Sequence, residues 1–403
     1  MVRRNYSAMH NTSRGSANQV TSTQVCAFRL SRHHLTERAP PSALGSVVAD
    51  MCGAQAQVLS AAQISIWTRV RDLRIQQLDA AIWKERTLVR AWGMRRTMFL
   101  FPAKELALYV RGTYRRSAYN LRWVQKRVSS EQALDRLLDD VMEILSKPRT
   151  RNDIALMLKS NGYRVKSKAG GGWGDRRPVP WIVVGGTSLS VGFLLHVIGA
   201  REVICSGPNA RNESTFVRAD KWLPNWKDVP VEEAEGELLA KYLRAFGPAT
   251  LTDFALWAGM YVRDAKEIWT LHSEKMAQVE VDGRSASILR SDLPELEAAE
   301  IEEHGVRLLP FFDSFLLGHK SHRNIVDEKH HKRIYRAQGW VSPVVLVDGR
   351  AEGVWSHMLR KDELEVRVTP FIKPSLRASS KIREQASDLG RFFGCRNVKT
   401  MIL

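Results

Sequence analysis

One succession of patterns recurs along this chain and restricts its fold more than any single residue does. It is clearest between residues 231 and 289. Val231 to Arg244 carries apolar residues at helical spacing. Gly247-Pro248-Ala249-Thr250 then marks a turn, and Leu251–Trp257 and Val262–Leu271 read as two more helices. Ala277 to Leu289 alternates on either side of Asp282-Gly283, a dipeptide that favours a tight hairpin. Helix, turn, helix, helix and hairpin is the plan of a winged helix.

Two looser versions precede it. In the first, helical spacing runs over Phe28–Arg38, Ser46–Gln57 and Ile64–Val70, with short pieces at 78–84 and 87–90. Arg95–Phe101 reads as a strand stopped by Pro102. In the second, Leu134–Leu145 is an apolar-periodic helix, and Asn152 is placed to cap another through Lys159. The apolar stretch Trp181–Ala200 reads as one buried helix with its clearest part at Ser188–Ile198, and Glu202–Cys205 and Ser214–Arg218 alternate as strands. The C-terminal part differs. Val341–Val347 and Ala351–His357 flank Asp348-Gly349 as a hairpin, Leu364–Val368 adds a strand, and Ser375–Phe393 closes with a basic helix.

The expected fold is therefore α+β, with three tandem winged helix-turn-helix units at 25–128, 129–228 and 229–300. A C-terminal β-rich segment with a final helix occupies 301–403, and a Ser/Asn/Thr-rich tail, expected to be flexible, occupies 1–24. The tail has no apolar core and is not a secretory signal.

Charge narrows the partner. The chain has 61 Lys and Arg against 43 Asp and Glu, a formal net charge of +18. Residues 69–127 hold 15 basic and 4 acidic residues, and residues 320–403 hold 17 and 9. Such an excess points to a polyanion, nucleic acid before membrane. The four cysteines, Cys26, Cys52, Cys205 and Cys395, lie far apart, which disfavours a zinc ribbon or a disulfide framework and fits a reducing cytosol.

Familiar catalytic signatures are missing. Gly170–Gly174 is glycine-rich but lacks a following Gly-Lys-Ser/Thr, and the His33-His34 and His330-His331 pairs have no companion ligands at metal spacing. No metal or organic cofactor is implied. The informative spot is Gln55-Ala56-Gln57. If this segment is extended, both glutamines point the same way and their amides can hold one water, or one base edge, between them. Taken alone, such a triplet is also what an exposed polar turn looks like.

CGAQAQVLSAAQISIWTRV and LVRAWGMRRTMFLFPAKELALYV resemble the AlkZ-type winged-helix DNA glycosylases. FGPATLTDFALWAG, LLPFFDSFLLGHKSHR and VSPVVLVDGRAEGVWS continue the resemblance, which covers roughly residues 25–370. It implies three winged helices around a basic concave DNA-binding surface. It also implies a glutamine–aliphatic–glutamine catalytic motif, matched by Gln55 and Gln57; the related AlkX-type branch has aspartate at the third position. The family's Met-Arg-Gly-Thr strand start reads Met94-Arg95-Arg96-Thr97 here, with Arg96 in place of glycine.

The expectation is a monofunctional DNA glycosylase that excises alkylated purines, N7 or N3 adducts with interstrand crosslinks as a further substrate, from double-stranded DNA. DNA contacts are expected from Arg69, Arg90, Arg95, Arg96, Thr97, His319, Lys320 and Arg323, most of them to phosphates. Asp313 is expected to be structural. A cytoplasmic, nucleoid-associated monomer fits this reading. The competing class is a non-catalytic winged-helix DNA-binding protein or transcriptional regulator, since fold alone does not imply function.

Overall fold

Local chemistry sets the elements of the third region. Glu232 and Glu233 stand in the first turn of the helix Val231–Phe246, where their charge complements the helix dipole. Leu238, Leu239, Tyr242, Leu243 and Phe246 bury its apolar side. Thr250 caps the next helix, Leu251–Ala258, in a reciprocal box with Asp253, and Gly259 ends it in the left-handed conformation. Val262–Leu271 follows, and Met276–Val281 and Arg284–Leu289 pair as an antiparallel hairpin. Asp282 and Gly283 both have positive φ, 46° and 77°, as that tight turn requires.

The computed structural model describes residues 18–168, 178–300 and 305–403. The glycine-rich stretch Gly170–Gly174 and the first part of the expected tail lie outside them. The end of that tail is structured. Asn18–Val20 pairs in parallel with Met276–Val281, and the helix Ser22–Arg32 begins behind a Thr21 cap. The first residues described are thus anchored on the third region.

The second region departs from its expected plan in two ways. Thr150, with Asp153, caps the helix Arg151–Ser160, so Asn152 is inside the helix instead of capping it. The apolar stretch 181–200 is not one helix. It runs through the strand Val179–Val184, a turn with Gly185 and Gly186 at positive φ, and the strand Thr187–Ser190, before the helix Val191–Ile198. Val179–Val184 alternates between partly and fully buried residues. That period-two pattern was hidden inside a run that is apolar throughout.

In the first region, Leu88–Trp92 is a strand where a helical piece was expected. It pairs antiparallel with Met98–Pro102, which also pairs with Ala54–Gln55. These strands do not form a separate wing. Ala91 pairs with Cys205, so the sheet continues into Ile204–Ala210, Glu213–Arg218 and Arg149–Thr150. Six strands from two expected units make one sheet.

The C-terminal region forms a five-stranded sheet in the order Val306–Leu309, Val344–Val347, Arg350–Arg360, Glu363–Pro370 and Asn397–Ile402. The last strand, unanticipated, runs parallel to Glu363–Pro370 after the helix Leu376–Phe393. That helix and sheet share a core with the first region, in which Val47, Ile66, Trp67 and Leu100 pack with Leu308, Val366, Leu389 and Phe392. A second core joins Phe99, Phe101 and Tyr109 of the first region to Tyr242, Phe246 and Trp257 of the third. No helix among the described residues is long and apolar enough to cross a membrane.

Candidate functional site

The glutamine segment is pinned at several points. Gly53 turns the chain at φ 82°, and a Cβ there would stand 2.6 Å from the Phe101 ring. Its carbonyl accepts a hydrogen bond from Ser314 Oγ at 2.8 Å. Gln55 pairs with Phe99, and the Ala56 N–H donates to the Met98 carbonyl at 2.6 Å. The Ala56 carbonyl in turn accepts from Arg90 Nε at 3.1 Å. The strand at 98–102 therefore holds this segment on one side, and Arg90 from the next strand holds its middle residue.

The two amides are oriented by donors. Gln55, 7% exposed, accepts at Oε1 from Arg95 Nη2 at 3.0 Å. Gln57 is exposed and accepts at Oε1 from the Met98 N–H at 3.3 Å. An N–H donor fixes which end of each amide is oxygen, so both carbonyl oxygens have defined directions with lone-pair capacity to spare. Gln57 borders a groove of about 700 Å³ whose lining includes Arg90, Arg95, Arg96 and Arg151.

The expected DNA contacts sort into distinct groups. Arg69 corrects its expectation. It is wholly buried, and its guanidinium meets both Asp313 oxygens at 2.8 and 2.7 Å, so it is not presented to a phosphate. Asp313 also accepts from Ser65 Oγ at 2.7 Å and from the Phe315 N–H at 3.0 Å. The neighbour of Asp313 is Ser314, which holds Gly53, so this buried pair sits one residue from a clamp on the glutamine segment. Its structural role is the one expected for Asp313.

Arg95 is likewise turned toward protein. Besides Gln55 it donates to the Trp257 carbonyl at 2.8 Å, and burial lowers its pKa to about 10, leaving it charged at neutral pH. Arg96 is exposed, and Arg90 is part-buried. Thr97 closes the turn between them, donating through Oγ1 to the Met94 carbonyl at 3.1 Å. Arg95 and Arg96 both hold positive φ, 56° and 57°. The position where the resemblance implies glycine is thus left-handed in this chain, and a long side chain occupies it at a cost of about 1–2 kcal/mol.

His319 and Arg323 lie elsewhere, lining a cleft of about 330 Å³ with Arg29, Asp253 and Arg284. His319 Nε2 is enclosed, and burial, with Arg29 beside it, lowers its pKa to about 3. A neutral, enclosed imidazole is a poor phosphate ligand, which corrects that expectation as well. Lys320 and Arg323 have exposed side chains, while the Lys320 backbone N–H is held by Asp253 at 2.9 Å.

The groove residues that had escaped the sequence reading include Arg151, Trp92, Phe193, His196, Ser206 and Phe216. Alternation along Leu88–Trp92 puts Arg90 and Trp92 on one face, a signal present once that segment is read as a strand. The Ala91–Cys205 pairing that brings Phe216 beside them has no local signature.

A family model described as DNA glycosylase AlkZ-like matches residues 48–392. Over 395 residues the chain is 28% identical to the interstrand DNA cross-link repair glycosylase of Streptomyces sahachiroi, covering 94% of this chain and 98% of that protein. The solved structure of Streptomyces sahachiroi DNA glycosylase AlkZ aligns with a TM-score of 0.76 at 26% identity, covering 96% of this chain and all of that one. Matched by that family model over most of its length, and with a mixed α/β architecture matching that structure, the chain belongs to the AlkZ-like DNA glycosylase family.

Proposed function

We propose that this protein is a monofunctional DNA glycosylase that removes N7- and N3-alkylated purines, including purines joined in interstrand crosslinks, from double-stranded DNA. The observation that carries this reading is the orientation of Gln55 and Gln57, whose carbonyl oxygens are fixed by Arg95 and the Met98 N–H, with Gln57 at the edge of an arginine-lined groove. The crosslink component rests on the Streptomyces sahachiroi relative, a cross-link repair glycosylase.

The chemistry suits glutamine. A neutral amide is a weak base, but it can accept a hydrogen bond from water and aim that water. An alkylated purine carries positive charge and leaves as a neutral base, so the glycosidic bond needs little acid assistance. Positioning then supplies most of what remains of the barrier, and it can be worth several kcal/mol. Gln55 and Gln57 hold the water against the anomeric carbon, and their oxygen dipoles face the developing oxocarbenium ion. Water is the nucleophile, so no lysine Schiff base forms and the strand is left intact with an abasic site.

In this reading the helix and hairpin successions are winged helices, and the groove with its arginines is part of a basic concave DNA-binding surface. Arg90, Arg96, Lys320 and Arg323 contact phosphates, Thr97 positions the turn that carries Arg96, and the protein acts as a monomer. The test is a duplex carrying one N7-methylguanine, incubated with protein and then treated with hot alkali. We expect strand cleavage at the lesion only after alkali, and none from the Gln55→Ala, Gln57→Ala double variant. Cleavage without alkali would contradict monofunctional chemistry, and full excision by the double variant would contradict the glutamine assignment.

A further inference from the structure

The groove beside Gln57 has a floor that neither phosphate binding nor water activation uses. Trp92 stacks parallel to Phe216, with centroids 5.0 Å apart and an interplanar angle of 3°. His196 packs on Trp92 at 4.5 Å, and Phe193 lines the same groove. Trp92, Phe193 and His196 are only partly buried, so ring surface borders the groove. Burial, with Arg96 and Arg151 nearby, lowers the His196 pKa to about 4, so this ring adds no charge at neutral pH. The hydroxyl of Ser206, on the same face of the sheet, is buried and has no hydrogen-bond partner among the described residues.

The register explains the arrangement. Trp92 follows Ala91, which pairs with Cys205, and Phe216 pairs with Ser206. The aromatic floor is therefore built across the junction of two regions, in the groove that Gln57 borders. Its volume, about 700 Å³, lies within the 300–1,000 Å³ typical of sites for drug-sized ligands. A flipped base is ordinarily held in a snug pocket. This groove is wider, apolar along its floor and cationic at its rim.

From this we infer an adduct-binding subsite: Trp92, with Phe193 and His196 and backed by Phe216, seats a planar aromatic group attached to the purine under attack, while Arg90 and Arg96 hold flanking phosphates. The inference rests on the proposed function in that it takes the groove to face the lesion. Stacking on a flat ring system does not depend on the identity of the adduct, which would let one protein accept different planar adducts.

The experiment measures affinity apart from catalysis. Duplexes carry one guanine bearing N7-methyl, N7-(cyclohexylmethyl) or N7-(pyren-1-ylmethyl), each on a 2′-fluoro sugar that blocks excision. Dissociation constants are measured for the full-length protein, for Trp92→Leu and for Phe193→Leu, with thermal melts to confirm folding. We expect the wild type to bind the pyrenylmethyl duplex about 5- to 150-fold more tightly than the cyclohexylmethyl duplex, the range that ring stacking supplies. Trp92→Leu should bring that ratio below about 2, and Phe193→Leu should reduce it in part. If Trp92→Leu fails to fold, Phe193→Leu carries the test. Equal wild-type affinities, or a ratio preserved in the folded variants, would overturn the subsite. Failure to excise N7-methylguanine from an ordinary sugar would overturn the proposed function instead, and the affinity ratio would still decide this inference.

Discussion

Of the turns that hold consecutive residues at positive φ, those at Asp282-Gly283 and Arg95-Arg96 do so by different means. At Asp282-Gly283 the residue types suit the conformation, and the hairpin follows from local chemistry. At Arg95-Arg96 they do not, since long L side chains sit where glycine is favoured. Tertiary contacts hold the second turn. Arg95 reaches the Trp257 carbonyl and Gln55, and Gly259 packs against the Arg95 backbone so closely that a Cβ would stand 2.7 Å from Arg95 N and Cα. The comparison teaches where the chain accepts strain. The turn remote from the glutamines is relaxed, and the turn that holds Gln55 is strained and supported from another region, as functional sites often are.

Substitutions can break this contrast, beginning with the largest effect. The buried Arg69–Asp313 pair should be the most sensitive element, because removing one partner leaves the other charge buried. Asp313→Ala is expected to cost about 3–5 kcal/mol in urea unfolding. A loss below about 1 kcal/mol would mean that the pair does not fix this region. Gly259→Ala should follow, since it combines an unfavourable φ of 74° with the contact on Arg95. We expect it to cost about 2–3 kcal/mol and to slow excision, whereas Gly283→Ala, with open space around its Cβ, should cost only about 1–2 kcal/mol.

Arg95 and Arg96 separate next by kinetics. Arg95→Ala should lower single-turnover excision about 10- to 100-fold and leave the salt dependence of DNA binding unchanged. Arg96→Gly should do the reverse. It should stabilise the fold by about 1 kcal/mol, weaken DNA binding, and reduce the slope of log K against log salt by about 1. If Arg95→Ala changed the salt slope instead, Arg95 would be a phosphate contact after all.

The last prediction concerns pH. His196 and His319 have pKa values lowered to about 4 and about 3 by burial, against an ordinary value of 6.5. Below 6.5 the unfolded chain takes up protons that the folded chain does not, so stability falls as pH drops from about 6.5 toward 4. Thermal melts should show this decline, by roughly 1–2 kcal/mol per histidine at pH 5. Excision should stay flat between about pH 6 and 8, where neither His196 nor Arg95, at about 10, changes charge. A sharp excision optimum near pH 7 would point to a catalytic acid or base not in this account.

The sequence was most informative where structure is local. The third region's helices and its Asp282-Gly283 hairpin lie close to their expected bounds because caps, period and turn residues all agree there. Gln55 and Gln57 stood out as a pair only on the premise of an extended segment; the strand stops at Gln55, which is buried, while Gln57 is exposed. Long-range pairing left no local mark. The Ala91–Cys205 register that fuses two regions into one sheet is an example. So is the final strand, Asn397–Ile402, lying in parallel beside Glu363–Pro370. Arg69 and Arg96 are indistinguishable by residue type, yet one is enclosed with Asp313 and the other is exposed. Only the fold assigns their different roles.

In the proposed mechanism Gln55 and Gln57 act on one water. Single-turnover excision of N7-methylguanine by the wild type, Gln55→Ala, Gln57→Ala and the double variant tests it most directly. Groups that act as a unit lose most of their effect with the first substitution. We expect a drop of about 100-fold or more in each single variant and little further loss in the double. Independent, multiplying losses would contradict a shared water, and a double variant that excises at the wild-type rate would contradict the role of the glutamines altogether.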